Sequence, residues 1–205
     1  PHACPFCSIA AAYPYATSDP EAEGDADADA DDEDADAGPD ADLGSVAPLQ
    51  RCVPVGAAAD PQLVDPSAFV VLAAQRVLAF LDILPMTRGH LLVTTRRHRG
   101  KVEELVGQGE EGRDLGFWLP LLAKTVARVT GVTDYNIVQN NGIRAAQVVP
   151  HVHFHVIPRP PAKPELKNKS WTMFGRGQRD DLDDDEAAAL AGEMRRVLLE
   201  EVERL

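Results

Sequence analysis

Cysteine is scarce. The 205 residues hold three, an odd number that builds no disulfide framework and fits a reducing compartment, the cytosol or also the nucleus. Long apolar runs are missing too. A stretch such as Phe69–Ala74 is far too short to cross a bilayer, which excludes a helical membrane span. Pro1–Tyr15 has neither a basic n-region nor the apolar core of a secretory signal. A third absence is local: no Lys or Arg lies between Asp19 and Asp42, where 13 of the 33 acidic residues fall. The other 20 acidic residues face 20 basic ones, so the formal net charge of -13 belongs to one segment and not to the surface at large.

These shifts divide the chain. Residues 1–15 carry Cys4 and Cys7. Residues 16–66 hold much Ala, Asp, Pro and Gly and little that is aromatic; burial there offsets too little ordering entropy, and an acidic disordered insertion is expected. Such an insertion is a solvated spacer or a tail for a basic partner. A folded domain is expected over residues 67–160, with a basic loop and a C-terminal helix over 161–205. No internal repeat is apparent.

Phe69–Ala73, Val77–Asp82, His90–Thr95, Tyr135–Gln139 and Val152–Ile157 read as strands, rich in Val, Leu, Ile and Phe. Leu84–Gly89 reads as a turn and Lys101–Val106 as a short helix. Leu115, Trp118, Leu119, Leu122, Val126 and Val129 recur at helical spacing, and Pro120 among them should start or kink that helix. Asp183 followed by Glu186 marks a helix start, and Leu190, Met194, Val197, Leu198 and Leu205 give that helix an apolar stripe. Tight links between strands imply a mainly antiparallel sheet and an α+β class.

The informative run is His151-Val152-His153-Phe154-His155-Val156-Ile157. Side chains alternate along a strand, so the three imidazoles share one face and Val152, Phe154 and Val156 the other. Spacing of about 6.5–7 Å between successive histidines suits either a metal site or nucleophilic catalysis with proton transfer.

This run resembles the motif of the histidine triad (HIT) family of nucleotide hydrolases and transferases at all seven positions. Two further blocks agree: Phe80–Val93, with Asp82, Pro85 and Gly89-His90 before an apolar strand, and Gln139-Asn140-Asn141-Gly142 followed by Gln147. The resemblance covers about residues 67–160 plus Cys4–Ile9 and implies the HIT fold, with one long central helix and a C-terminal helix. It implies that His153 attacks an α-phosphorus to form a nucleotidyl-histidine, that His155 and His151 donate to phosphate oxygens or the leaving group, and that His90 joins the proton relay. Asp82 would accept from the ribose hydroxyls, and Asn140 and Gln147 would orient phosphate or leaving group. Phe80 and Ile83 would line a base pocket or simply pack the core. Two positions depart from the pattern: Ala146 stands where the family often has Gly, and Val148 where it often has Ser or Thr, which removes a hydroxyl near the α-phosphate.

Cys4-Pro5-Phe6-Cys7 is half of a zinc site. In zinc-containing members of the family two histidines complete it, matching His98 and His151 here; the alternative is a pair of free buried thiols. Cys52 is expected in the flexible region. Arg159, Lys163, Lys167, Lys169, Arg176 and Arg179, with Trp171 and Phe174 among them, form a loop that holds distal phosphates or is merely solvated. The resemblance implies a phosphoramidase acting on purine nucleotides such as adenosine monophosphoramidate, or a diadenosine polyphosphate hydrolase. The sugar-transfer branch usually has Gln at the position of His155, and the DNA-adenylate branch has a C-terminal zinc finger that these cysteines do not provide, so nucleic acid is not expected as a partner. A non-catalytic nucleotide-binding scaffold is the reading from another class. The family commonly forms homodimers, and Leu115, Trp118 and Leu122 would serve such a face or the chain's own core.

Overall fold

The computed structural model describes residues 4–16, 49–106, 109–161 and 182–205. Its centre is a five-stranded antiparallel sheet in the order β1-β2-β3-β5-β4, built from β1 (Val70–Ala73), β2 (Val77–Leu81), β3 (Leu91–Thr95), β4 (Tyr135–Gln139) and β5 (His153–Pro158). Among the described residues, α1 (Pro5–Ala12), α2 (Gly109–Thr130) and α3 (Asp184–Val202) pack on it. The α+β expectation holds. The region Lys101–Val106 forms a 3₁₀ turn, Val102–Leu105.

Strand alternation sorts the side chains into two cores. Val77, Ala79, Leu81, Leu91, Val93 and Val156 face α2 and α3, where they meet Leu115, Trp118, Leu122, Val126, Leu190, Met194 and Leu198. The stripe Leu115, Trp118, Leu122 is thus spent inside this chain. On the opposite face Val70, Leu78, Phe80 and Leu92 meet Phe6, Ile9, Ala10 and Tyr13 of α1 and its end. Those four positions recur at helical spacing, so α1 lies flat with one side on the sheet.

Several local choices are readable in the chain. Asp183 caps α3 by accepting from the Glu186 N–H at 2.9 Å. Leu205 lies beyond the helix and is exposed, so it leaves the predicted stripe. Pro120 neither starts nor ends α2. Both Pro120 and Gly116, whose carbonyl loses its helical partner to the proline, are exposed, so water can meet that carbonyl. Gly89 opens β3 at φ +86, and a Cβ there would sit 2.5 Å from Thr130 Cγ2, so only glycine delivers His90 to its place.

Residues 49–66 are ordered, contrary to the expectation for residues 16–66. Leu49 packs on the helical core, and Cys52 and Val53 are buried in it. Burial pushes the Cys52 thiol up to about 12, so this cysteine is a core residue and not part of a flexible region. The same segment covers the outer edge of β1: Ala73 N–H donates to Cys52 O at 2.7 Å, and Arg195 of α3 donates to Val70 O at 2.7 Å. The acidic stretch Glu21–Asp42 and the basic run from Lys163 to Arg179, with Trp171 and Phe174, lie outside the described residues. Arg159 is described; its Nε donates to Asn136 Oδ1 at 2.7 Å.

Arg96, just past β3, ties α1 to the sheet. Its Nη1 donates to Ala10 O at 2.7 Å and Tyr13 O at 2.9 Å, and its Nε to Ala74 O at 3.1 Å. One guanidinium therefore satisfies carbonyls at the end of α1 and in the β1–β2 turn, where helical bonding has run out. Replacing it with methionine keeps the apolar stem and strands three carbonyls. Arg96→Met is expected to lower folding stability by about 2–4 kcal/mol, read by denaturant titration; a loss under about 0.5 kcal/mol would mean that water serves these carbonyls equally well.

Candidate active site and metal centre

The face of the sheet shared with α1 carries a cavity of about 770 Å³. Phe80, Asp82 and Ile83 from β2 and the turn after it, Asn140, His153 and His155 line it, together with Phe6 and Ile9 of α1 and the segment Val64–Ala68. The alternation that turns Val156 into the helical core turns His153 and His155 into this cavity. Their ring centroids are 4.9 Å apart.

Hydrogen bonds fix the two rings in opposite states. His153 Nδ1 lies 2.6 Å from the main-chain oxygen of His151. A carbonyl only accepts, so Nδ1 carries the proton and Nε2 carries the lone pair. Behind His155 the order reverses. Met86 N–H donates to His90 Nδ1 at 3.2 Å, which makes His90 Nε2 the protonated nitrogen. That nitrogen faces His155 Nδ1 at 2.9 Å, so His155 holds its own proton on Nε2. The cavity thus presents one imidazole as a base or nucleophile and one as a donor.

The remaining expected residues divide. Asp82 is buried; its Oδ1 accepts from Leu84 N–H at 2.9 Å and its Oδ2 stands 3.4 Å from His90 Nδ1. Asn140 lines the cavity, and no described residue engages its side-chain amide. Phe80 is buried and Ile83 is 46% exposed, both on the cavity wall. Gln147 does not line it. Its Oε1 accepts from Gly142 N–H at 2.6 Å, and its Nε2 donates to Gly100 O at 2.7 Å and His151 O at 3.3 Å. Gln147 therefore braces the loop and the very carbonyl that orients His153, in place of the expected phosphate contact. Ala146 takes φ +66, the left-handed region that glycine occupies freely, which accounts for glycine as the usual residue there. Val148 lies on the cavity rim, 90% exposed.

His151 lies on the same face, its ring centroid 5.7 Å from that of Phe6, but it serves another cluster. It precedes β5, is fully buried and is absent from the cavity wall. Its Nε2 donates to Thr95 O at 2.9 Å, which leaves the Nδ1 lone pair facing Cys4 Sγ at 3.4 Å and Cys7 Sγ at 3.7 Å. Burial lowers its pKa to about 4, so the ring is neutral near pH 7. His98 Nδ1 lies 3.4 Å from Cys7 Sγ, and one ligand atom from each of the four residues falls within 4.8 Å of all the others. Tetrahedral zinc with two sulfur and two nitrogen ligands needs S···N edges of about 3.6 Å, so the donor set and its spacing fit that ion. The Thr95 carbonyl fixes the His151 tautomer as an outer partner should. Partial burial and the neighbouring Cys4 raise the Cys7 thiol to about 11, a value that a bound cation would reverse.

Phe6, Ile9 and Val64–Ala68 line the cavity without having been expected there. Phe6 sits between the two cysteines and meets the rings of His153 and Phe80 edge-on, each at 5.2 Å. Its place in the helical stripe Phe6, Ile9, Ala10, Tyr13 was the one signal in the chain. The Val64–Ala68 wall had none, because it follows a long insertion of low complexity.

The HIT domain model matches residues 65–162. An uncharacterized HIT-like protein of Methanocaldococcus jannaschii is 39% identical over 119 residues, 57% of this chain and 84% of that one. The chain belongs to the HIT family. The adenosine 5'-monophosphoramidase hnt1 of Schizosaccharomyces pombe is 48% identical over 83 residues, 40% of this HIT chain and 58% of the yeast protein, so the match spans little more than half of that relative. Among solved structures, a Zn-bound histidine triad family protein from Mycobacterium smegmatis is 25% identical with a TM-score of 0.52, covering 66% of this chain and 87% of that one.

If the four-residue cluster holds zinc, the purified chain carries about one equivalent, and Cys4→Ser loses it in metal analysis. Chelation or the same substitution is expected to lower the melting temperature by about 5–10 °C. A wild-type chain free of metal and indifferent to chelator contradicts this assignment.

Proposed function

We propose that this HIT protein hydrolyses purine nucleoside phosphoramidates at the α-phosphorus, through a nucleotidyl intermediate on His153. The single observation that carries the reading is the 2.6 Å bond from His153 Nδ1 to the His151 carbonyl, which assigns Nε2 as the nitrogen for attack from this cavity-lining ring. Nε2 of His153 forms a bond to phosphorus as the phosphorus–nitrogen bond of the substrate breaks. The departing amine takes the proton that His155 holds on Nε2. In the second half a water molecule gives its proton to His155, its oxygen bonds to phosphorus, and the bond to His153 breaks to release the nucleoside monophosphate. The pair His90–His155 supplies and recovers one proton per cycle. Asp82 accepts from the ribose diol, and Asn140 offers its amide to phosphate oxygens. The metal cluster, by contrast, serves position: a bound zinc pins α1, and with it Phe6, against the catalytic strand. His151 belongs to that cluster and contributes to catalysis through its carbonyl.

A homodimer is supported by β4, an edge strand of the sheet with Tyr135 40% and Ile137 45% exposed.

His153→Ala is expected to reduce release of AMP from adenosine monophosphoramidate by about 10⁴-fold or more. His90→Ala, which breaks the donor chain behind His155, is expected to lower kcat by about 10–100-fold with KM little changed. Running diadenosine tetraphosphate beside the phosphoramidate identifies the preferred leaving group. A wild-type protein that binds AMP but turns over neither compound would be a scaffold and not a hydrolase.

A further inference from the structure

The cavity has a second carboxylate beside Asp82. Asp65 lines it on the wall formed by Val64–Ala68, together with Ser67. No described residue donates a hydrogen bond to the Asp65 carboxylate or engages the Ser67 hydroxyl, and Asp65 is exposed. Both groups are therefore available to a ligand.

This wall is held in place from two sides. Ala68 N–H donates to Pro61 O at 3.0 Å and closes the segment into a loop. The hydroxyl of Tyr13 donates to both Asp60 O at 2.6 Å and Ala68 O at 2.9 Å from a ring that is 2% exposed. Arg96 in turn holds the Tyr13 carbonyl. The loop thus moves with α1, and it begins before residue 65, where the family match starts.

Electrostatics assigns the two carboxylates to different parts of a nucleotide. The phosphate must lie against His153 and His155, and a carboxylate close to it would repel it. The ribose diol falls to Asp82, close to His155, where its charge is tempered by the hydrogen bond it accepts from Leu84 N–H; a second, exposed carboxylate near the phosphate would have no such partner. That leaves the uncharged base for Asp65, in a cavity to which Phe6, Ile9 and Phe80 also contribute apolar surface for the base's faces. A carboxylate only accepts, so it favours a base edge with adjacent donors. Guanine offers N1–H and the N2 amino group side by side, which suits two parallel charge-assisted bonds. Adenine sets its one amino group beside an unprotonated N1, whose lone pair faces the carboxylate unfavourably.

We propose that Asp65 makes this cavity selective for guanine over adenine nucleotides. The substrate part of this inference rests on the hydrolase reading above; the binding part does not. The test measures GMP and AMP affinities by calorimetry and, in parallel, kcat/KM for guanosine and adenosine 5'-phosphoramidates, with wild type and Asp65→Asn. Wild type is expected to favour guanine by about tenfold or more in both measurements. Asp65→Asn is expected to shrink that ratio to about threefold or less, chiefly by weakening the guanine ligand. Equal or better binding of AMP by wild type, or an unchanged ratio in the variant, overturns the proposal. A GMP preference without turnover of either phosphoramidate leaves the base selection standing and removes the hydrolase; turnover without base preference does the reverse.

Discussion

The main-chain oxygen of His151 accepts from the ring of His153 and from the side chain of Gln147, while the ring of the same residue faces Cys4 and Cys7. Through this one residue the candidate metal cluster and the imidazole proposed as nucleophile share a rigid body. A shift of the His151 main chain would move the acceptor that sets which nitrogen of His153 bears the proton. An imidazole without that acceptor exchanges tautomers freely, and only one of them carries its lone pair on Nε2. The depth of burial around His151 keeps its own ring neutral, as ligation requires.

The wall facing the histidines depends on a similar economy of contacts. Arg96 gathers the last carbonyls of α1, Tyr13 gathers the loop of residues 60–68, and Phe6 reaches from the first turn of α1 to the ring of His153. Burial lowers the pKa of the Arg96 guanidinium, a cost offset by its three carbonyl acceptors, which act as neutral dipoles and not as a salt bridge. Position is transmitted here by hydrogen bonds to main chain, which tolerate little displacement.

Much of this was legible in the chain. The alternation His151–Ile157 assigned His153 and His155 to a common face because a period of two leaves no other choice for a half-buried strand. It put His151 on that face as well but could not say what the ring meets there, because Cys4 and Cys7 come from a distant part of the chain. The family motif identified Gln147 as a site residue but not what it holds. Whether an amide turns to ligand or to loop depends on where Gly100 and Gly142 lie, and no local pattern encodes that. Cys52 and Val53 were hidden by the composition of their neighbourhood, since a short apolar pair after an acidic run carries no periodicity. Asp183, by contrast, was readable, because capping is settled within four residues.

The two rims of the sheet differ in a way that bears on assembly. Along β1 the outward main-chain groups are already taken by Cys52 and Arg195, whereas β4 is the other rim and bears exposed Tyr135 and Ile137. Among the described residues, strand-to-strand joining between copies would therefore have one rail, at β4. Two such rails would consume each other, and the joined sheet would end on both sides in covered β1 rims, so that mode of growth would stop at a pair and not run on into a fibre.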